Sequence, residues 1–176
     1  MFKLKTIQCL TIIFLAFSSS YAQTNVTVGV NQAVGSTIGT GPGDANANVT
    51  VNGAVIVDNA PAISLGDNAV IDIYGTVTGK SDRGNGNYGS GPNLIEVGSE
   101  AQITIRDGGI IAKRLSSRHG ETINVHGRGN TITVEQGGLI TSTNSAAIWF
   151  QNTGNMTLGQ NTIINHGTIE QTPGGK

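Results

Sequence analysis

Histidine, carboxylate and hydroxyl groups all occur in this chain, but their spacing assembles few of them into anything that does chemistry. The three histidines, His119, His126 and His166, fall in different segments. None has a Ser or Cys in a nucleophile elbow, so no hydrolase triad is expected. No His/Cys cluster has metal-ligand spacing, and the GGxGxD units of a calcium β-roll are absent from the sequence. The carboxylates Asp67, Asp72, Glu96, Glu100 and Asp107 read as scattered over different faces, whereas a glycan-cleaving groove needs a convergent pair or an acidic calcium site. The expectation is therefore no catalytic residue, no metal and no cofactor. Two features suit binding instead. Lys80, Arg83, Lys113, Arg114 and Arg118, with His119 beside them, follow equivalent strands and form a candidate basic corner for an anionic glycan or another acidic surface. Trp149 is expected to point outward beside Asn124, where an indole can stack on a sugar or a partner protein.

These residues are positioned by a repeat. ITIRDGGIIAK at 103–113 returns as ITVEQGGLITS at 132–142, with related copies at 49–58, 71–80 and 156–165. Each has apolar residues two apart, a Gly or small-residue bend, then a second apolar pair, which predicts two strands meeting at a corner. The first apolar residues, Val49, Ile71, Ile103, Ile132 and Met156, are 22, 32, 29 and 24 positions apart. Such steps are too short for domains and too regular for chance. A third strand precedes each corner at ISLG, IEVG, INVHG and IWF, beginning at Ile63, Ile95, Ile123 and Ile148. Its last apolar residue leads the next copy by 6, 6, 7 and 6 positions. By contrast, the link from second to third strand varies and is longest at 81–92, SDRGNGNYGSGP.

The fold expected is all-β, a right-handed parallel β-helix or solenoid of about six coils, the hand following the general preference of parallel crossovers. Its inward rows would be Val49, Val51, Ile71, Ile73, Ile103, Ile105, Ile132, Val134, Met156 and Leu158 on one side. Ile63, Leu65, Ile95, Val97, Ile123, Val125, Ile148 and Phe150 would form another. Outward Thr27, Thr50, Thr104, Thr133 and Thr157 form a threonine row that Asp72 interrupts, which suits cross-strand packing better than an ice-binding array. Gly and Asn interrupt every candidate helical stripe. The apolar alternation argues against a disordered low-complexity chain.

Residues 1–22 carry Lys3 and Lys5, an apolar run over 10–17, and small residues at Ser20 and Ala22. This is the pattern of a secretory signal peptide cleaved before Gln23, with residues 23–176 as the mature domain and no stable membrane insertion of it expected. The one cysteine, Cys9, lies in that leader, so burial and ladder hydrogen bonds alone must hold the mature fold. Removing Lys3 and Lys5 with the leader leaves eight basic against eleven acidic residues, a net charge of −3. With no interleaved aromatic platform, nucleic acid is not an expected partner.

The leader followed by units such as GRGNTITVEQGGLI and NTGNMTLGQNTII resembles the passenger region of bacterial autotransporters, the pertactin-like right-handed β-helices, over essentially the whole mature chain. The resemblance implies export to the cell surface, outer membrane or exterior of a Gram-negative bacterium, and a non-catalytic adhesin or display stalk that meets a host surface or glycan. The family's C-terminal β-barrel has no counterpart here, and GTIEQTPGGK stops mid-coil. The expectation is thus a piece of a longer array whose open ends favour self-association. Two other readings stand beside it: a β-helix carbohydrate lyase or hydrolase, and a self-assembling surface or fibre subunit.

Overall fold

Val49 and Val51, like Ile71 and Ile73 or Ile103 and Ile105, sit two apart on extended backbone and so face the same way. One such pair cannot leave water alone; a stack of them can. The computed structural model describes residues 25–80, 92–114, 120–143, 145–151 and 160–172, with no helix among them. Coil 1 carries β1 (Asn25–Val28) and β2 (Ala33–Val34). Coil 2 carries β3 (Asn48–Val51), β4 (Ala54–Ile56) and β5 (Ile63–Ser64). Coil 3 has β6 (Val70–Ile73), β7 (Thr76–Lys80) and β8 (Ile95–Val97), and coil 4 has β9 (Gln102–Ile105), β10 (Ile110–Arg114) and β11 (Ile123–His126). Coil 5 has β12 (Thr131–Val134), β13 (Leu139–Thr143) and β14 (Ile148–Gln151), and coil 6 has β15 (Thr162–Asn165) and β16 (Thr168–Thr172).

Equivalent strands pair in parallel. Sheet A is β1-β3-β6-β9-β12-β15, sheet B is β2-β4-β7-β10-β13-β16, and sheet C is β5-β8-β11-β14. An isolated bridge from Ile38 to Ile63 extends sheet C into coil 1. The molecule is a parallel β-helix of six coils, as the repeat predicts. Val49, Ile71, Ile103 and Ile132 are direct vertical partners, and all are buried. The rows Ile63, Ile95, Ile123 and Leu65, Val97, Val125 are buried likewise. At the next rung Ile148 and Phe150 are only half-buried, though packed against the core.

The last coil departs from the expected register. Ile132 pairs with Ile163, not Met156, and Leu139 pairs with Thr168. Met156, Thr157 and Leu158 lie outside the described residues. The sheet A position expected for them is occupied by β15, where Ile164 continues the threonine row beside Thr133.

Two corners set the vertical spacing. Between sheets A and B the bend is closed by a column of glycines. A Cβ on Gly75 would lie 2.0 Å from the carbonyl oxygen of Gly53, and one on Gly53 would lie 2.3 Å from that of Gly29. Gly109 and Gly167 are equally crowded by the coil beneath. Side chains here would prise neighbouring coils apart. Between sheets C and A, one residue per coil turns left-handed two positions before the sheet A strand: Asn46 (φ 59°), Asn68 (57°), Glu100 (58°), Gly129 (72°) and Gln160 (67°). Asn is the residue that tolerates this region best after Gly. The amides of Asn46, Asn68 and Glu100 each donate to a carbonyl of the next coil at 2.8 Å, and the following Ala47, Ala69 and Ala101 are fully buried. Between the second and fifth coils this shared turn is why the sequence keeps six or seven residues from strand C to strand A; before the last coil the link lengthens, from Gln151 to Thr162, yet ends in the same turn.

Gly75→Ala is expected to lower stability by about 1–3 kcal/mol through overpacking against Gly53, read as a fall in urea midpoint at unchanged slope. Ile103→Ala, in the centre of the sheet A stack, should cost about 2–5 kcal/mol. Ile163→Ala, at a position 44% exposed, should cost less than about 1 kcal/mol by the same measurement.

Candidate functional site

On sheet C the inward positions are taken by Ile95 and Val97, Ile123 and Val125, Ile148 and Phe150. The residues between them therefore face out: Glu96 on β8, Asn124 on β11 and Trp149 on β14. Strand pairing sets them in one line, with Ser64 beside Glu96, Glu96 beside Asn124, and Asn124 beside Trp149. This ladder lies along a hollow of about 720 Å³ whose walls include Asn59, Asn93, Glu121, His126 and Gln151. A second hollow of about 340 Å³, lined by Pro42, Asp67, Ser99 and their neighbours, shares Glu96 and His126 with the first. Together they make a groove running along the stack on one face.

The groove is tied together by its own polar groups. Asn93 Nδ2 donates to Glu96 Oε1 at 2.8 Å, and Ser64 Oγ donates to Glu96 Oε2 at 3.4 Å. Asn93 Oδ1 accepts from the Glu121 amide at 2.8 Å. Asp67 Oδ1 accepts from the Ser99 amide at 2.7 Å. Asn124 Nδ2 donates to Gln151 Oε1 at 2.8 Å. Its Oδ1 is buried and meets no donor among the described residues, although Asn124 as a whole is only 3% exposed. A covered acceptor left without a donor costs about 1–3 kcal/mol. Trp149, by contrast, is 49% exposed.

The carboxylates are thus less scattered than the sequence suggests. Asp67 and Glu96 share one hollow, and Glu96 shares the other with Glu121. Asp72 is elsewhere: on sheet A, Arg106 spans three coils by pairing with Asp72 at 2.6 Å and Glu135 at 2.7 Å. The guanidinium also lies 5.6 Å from the centre of the Tyr74 ring. Asp72 therefore interrupts the threonine row to build a clamp between coils. Among the described residues, no three His, Cys, Asp or Glu side chains are grouped to hold a metal ion.

The expected basic corner needs correction. Arg114 and Lys80 are vertical partners and exposed, but Lys113 is not at the surface. It is 5% exposed, because it shares the inward side of β10 with Ile111. Its Nζ donates to Pro92 O at 3.0 Å and to Gly120 O. Those carbonyls belong to the ends of the two long connections from sheet B to sheet C, so the ammonium ties both to the interior. Gly79, its partner on β7, has no room for a side chain, since a Cβ there would lie 2.0 Å from the carbonyl oxygen of Val57. Arg83, Arg118 and His119 lie outside the described residues.

The residues missed at this site, Asn93, Glu121, His126 and Gln151, come just before or at the end of sheet C strands. Their signal was the alternation itself, which marks Glu96, Asn124 and Trp149 as outward neighbours.

Burial pushes the Lys113 ammonium down to about 8 from 10.5, while the charge of Glu121 pulls it back up. Between those values the unfolded chain holds more protons than the folded one. Stability should therefore rise from about pH 8 to about 10.5, by on the order of 3 kcal/mol. In Lys113→Met, denaturant midpoints across that window should be flat. Compared with known proteins, the chain matches no family model, no curated protein and no solved structure.

Proposed function

We propose that this chain is an exported, non-catalytic binding rod, displayed at the surface of a Gram-negative bacterium in the manner of the passenger regions it resembles. The observation that supports this most is the line of Glu96, Asn124 and Trp149 along the 720 Å³ hollow. A half-exposed indole beside amides and carboxylates, carried on a stack locked by its own backbone, is suited to holding a partner. Two carboxylates of the groove hold the site's shape: both oxygens of Glu96 accept hydrogen bonds from Asn93 and Ser64, and Asp67 accepts from the Ser99 amide. Lys80 and Arg114 add an exposed pair of cations on another corner. That pair is a lesser attraction for acidic surfaces, and screening weakens it at physiological salt.

One observation favours a second reading. Glu96, Glu121 and His126 line the same hollow, and a carbohydrate-active enzyme would use such a set as acid and base.

Expression in a Gram-negative host should yield an exported chain whose first residue, by mass spectrometry, is Gln23. Beads coated with that chain should adhere to glycan-bearing cells, and Trp149→Ala should reduce adhesion at least fivefold without changing the circular dichroism. Incubation with polysaccharides should release no new reducing ends. Release that is abolished by Glu96→Gln or Glu121→Gln would replace the binding rod with the enzyme.

A further inference from the structure

The groove on sheet C is more specific than a generic adhesive patch. We infer that it binds a neutral oligosaccharide laid along the stack, with Trp149 as the stacking platform and Glu96, Asn124 and Gln151 as hydroxyl partners. This rests on the binding role proposed above and adds the ligand's chemistry.

Three observations carry it. First, the ladder spacing is that of parallel strands, about 4.8 Å per rung, which is close to the length of one pyranose unit. Successive sugars can thus meet Trp149, Asn124 and Glu96 in turn, as the register orders these residues. Second, the walls combine an apolar ring with groups that both give and accept hydrogen bonds: Asn59, Asn93, Asn124 and Gln151 among the amides, Glu96 and Glu121 among the carboxylates. Hydroxyl groups are donor and acceptor at once, and Asn124, which lines the hollow, has an Oδ1 acceptor that meets no donor among the described residues. Third, among the described residues no Lys or Arg lines either hollow, while Asp67, Glu96 and Glu121 do. These carboxylates disfavour uronates, sulfates and phosphates, and the anionic glycan expected for the basic corner is not the ligand we assign to this groove.

A peptide is a poorer fit. It would gain affinity by adding main-chain hydrogen bonds at a sheet edge, but β8 and β11 are each paired on both sides and, at this end of sheet C, only β14 is an edge among the described residues. Along Glu96 and Asn124 the groove offers side chains, not backbone.

The test uses the one tryptophan of the chain as its reporter. The purified mature protein is titrated with hexasaccharides of glucose (β- and α-linked), xylose, mannose and N-acetylglucosamine, with hexagalacturonate, and with an unstructured polar peptide. At least one neutral hexasaccharide should shift or quench the Trp149 emission with saturation below the millimolar range. Isothermal calorimetry should show at least a tenfold loss of that affinity in Trp149→Ala and at least a threefold loss in Asn124→Leu. A Lys80→Ala, Arg114→Ala double variant should bind as the parent does. Unchanged circular dichroism in Trp149→Ala keeps the result interpretable if Asn124→Leu folds poorly. Tighter binding of hexagalacturonate or the peptide, undiminished binding by Trp149→Ala, or no neutral hexasaccharide bound at millimolar concentration would each overturn the inference. Adhesion of coated beads that persists under any of these outcomes leaves the binding rod standing with a different ligand. Loss of adhesion altogether removes the rod itself.

Discussion

Close vertical contact between coils is the constraint from which the rest follows. Backbone amides and carbonyls in this chain find partners mainly in the coil above or below, so any group that widens the gap between coils breaks several hydrogen bonds at once. The glycine column at the A-to-B corner and the left-handed residue at the C-to-A corner both serve that contact. The first removes side chains where carbonyls pass within van der Waals distance. The second directs an amide into the neighbouring turn. With both corners fixed, most variation in coil length falls in the B-to-C connection, the long C-to-A link from Gln151 to Thr162 before the last coil being an exception. Equivalent strands separate by 34 residues from Thr76 to Ile110, but by 22 from Ala54 to Thr76.

The same constraint explains the placement of charge. A cation inside a β-branched interior is rare, yet Lys113 sits there because two carbonyls at the ends of long connections accept hydrogen bonds from its ammonium. On the outer surface of sheet A, Arg106 joins carboxylates of the coils on either side. These groups are exposed by a quarter or more, so their contribution is modest and screened. Both cations work across coils, and neither is available to an external partner in the way an exposed, unengaged charge would be.

Much of this architecture was legible in the residues themselves. Val49, Ile71, Ile103 and Ile132 stack because their spacing says so, and the six-residue lead from Leu65 to Ile71 and from Val97 to Ile103 anticipates a shared turn. The last coil was misread because MTLG, at Met156, imitates the opening of a copy. The better signal was the bend that follows the strand: NHGTI at 165–169 matches IYGTV at 73–77, glycine over glycine. Lys113 was placed outside by its charge, although period two put it on the side of Ile111. The groove was harder to see. Asn93 and Glu121 reach it by the path of the long connections, and that path is not written in periodicity. Glu96, Asn124 and Trp149, neighbours by register alone, were recoverable.

The orientation of the strands has a mechanical consequence. Each strand lies across the long axis of the stack, so tension along that axis loads the ladder of one coil boundary at a time and peels turns away sequentially. A load applied across the axis is instead shared by the parallel strands of a whole sheet. A partner held in the lateral groove, as proposed, would pull in that second direction, where the stack is stiff.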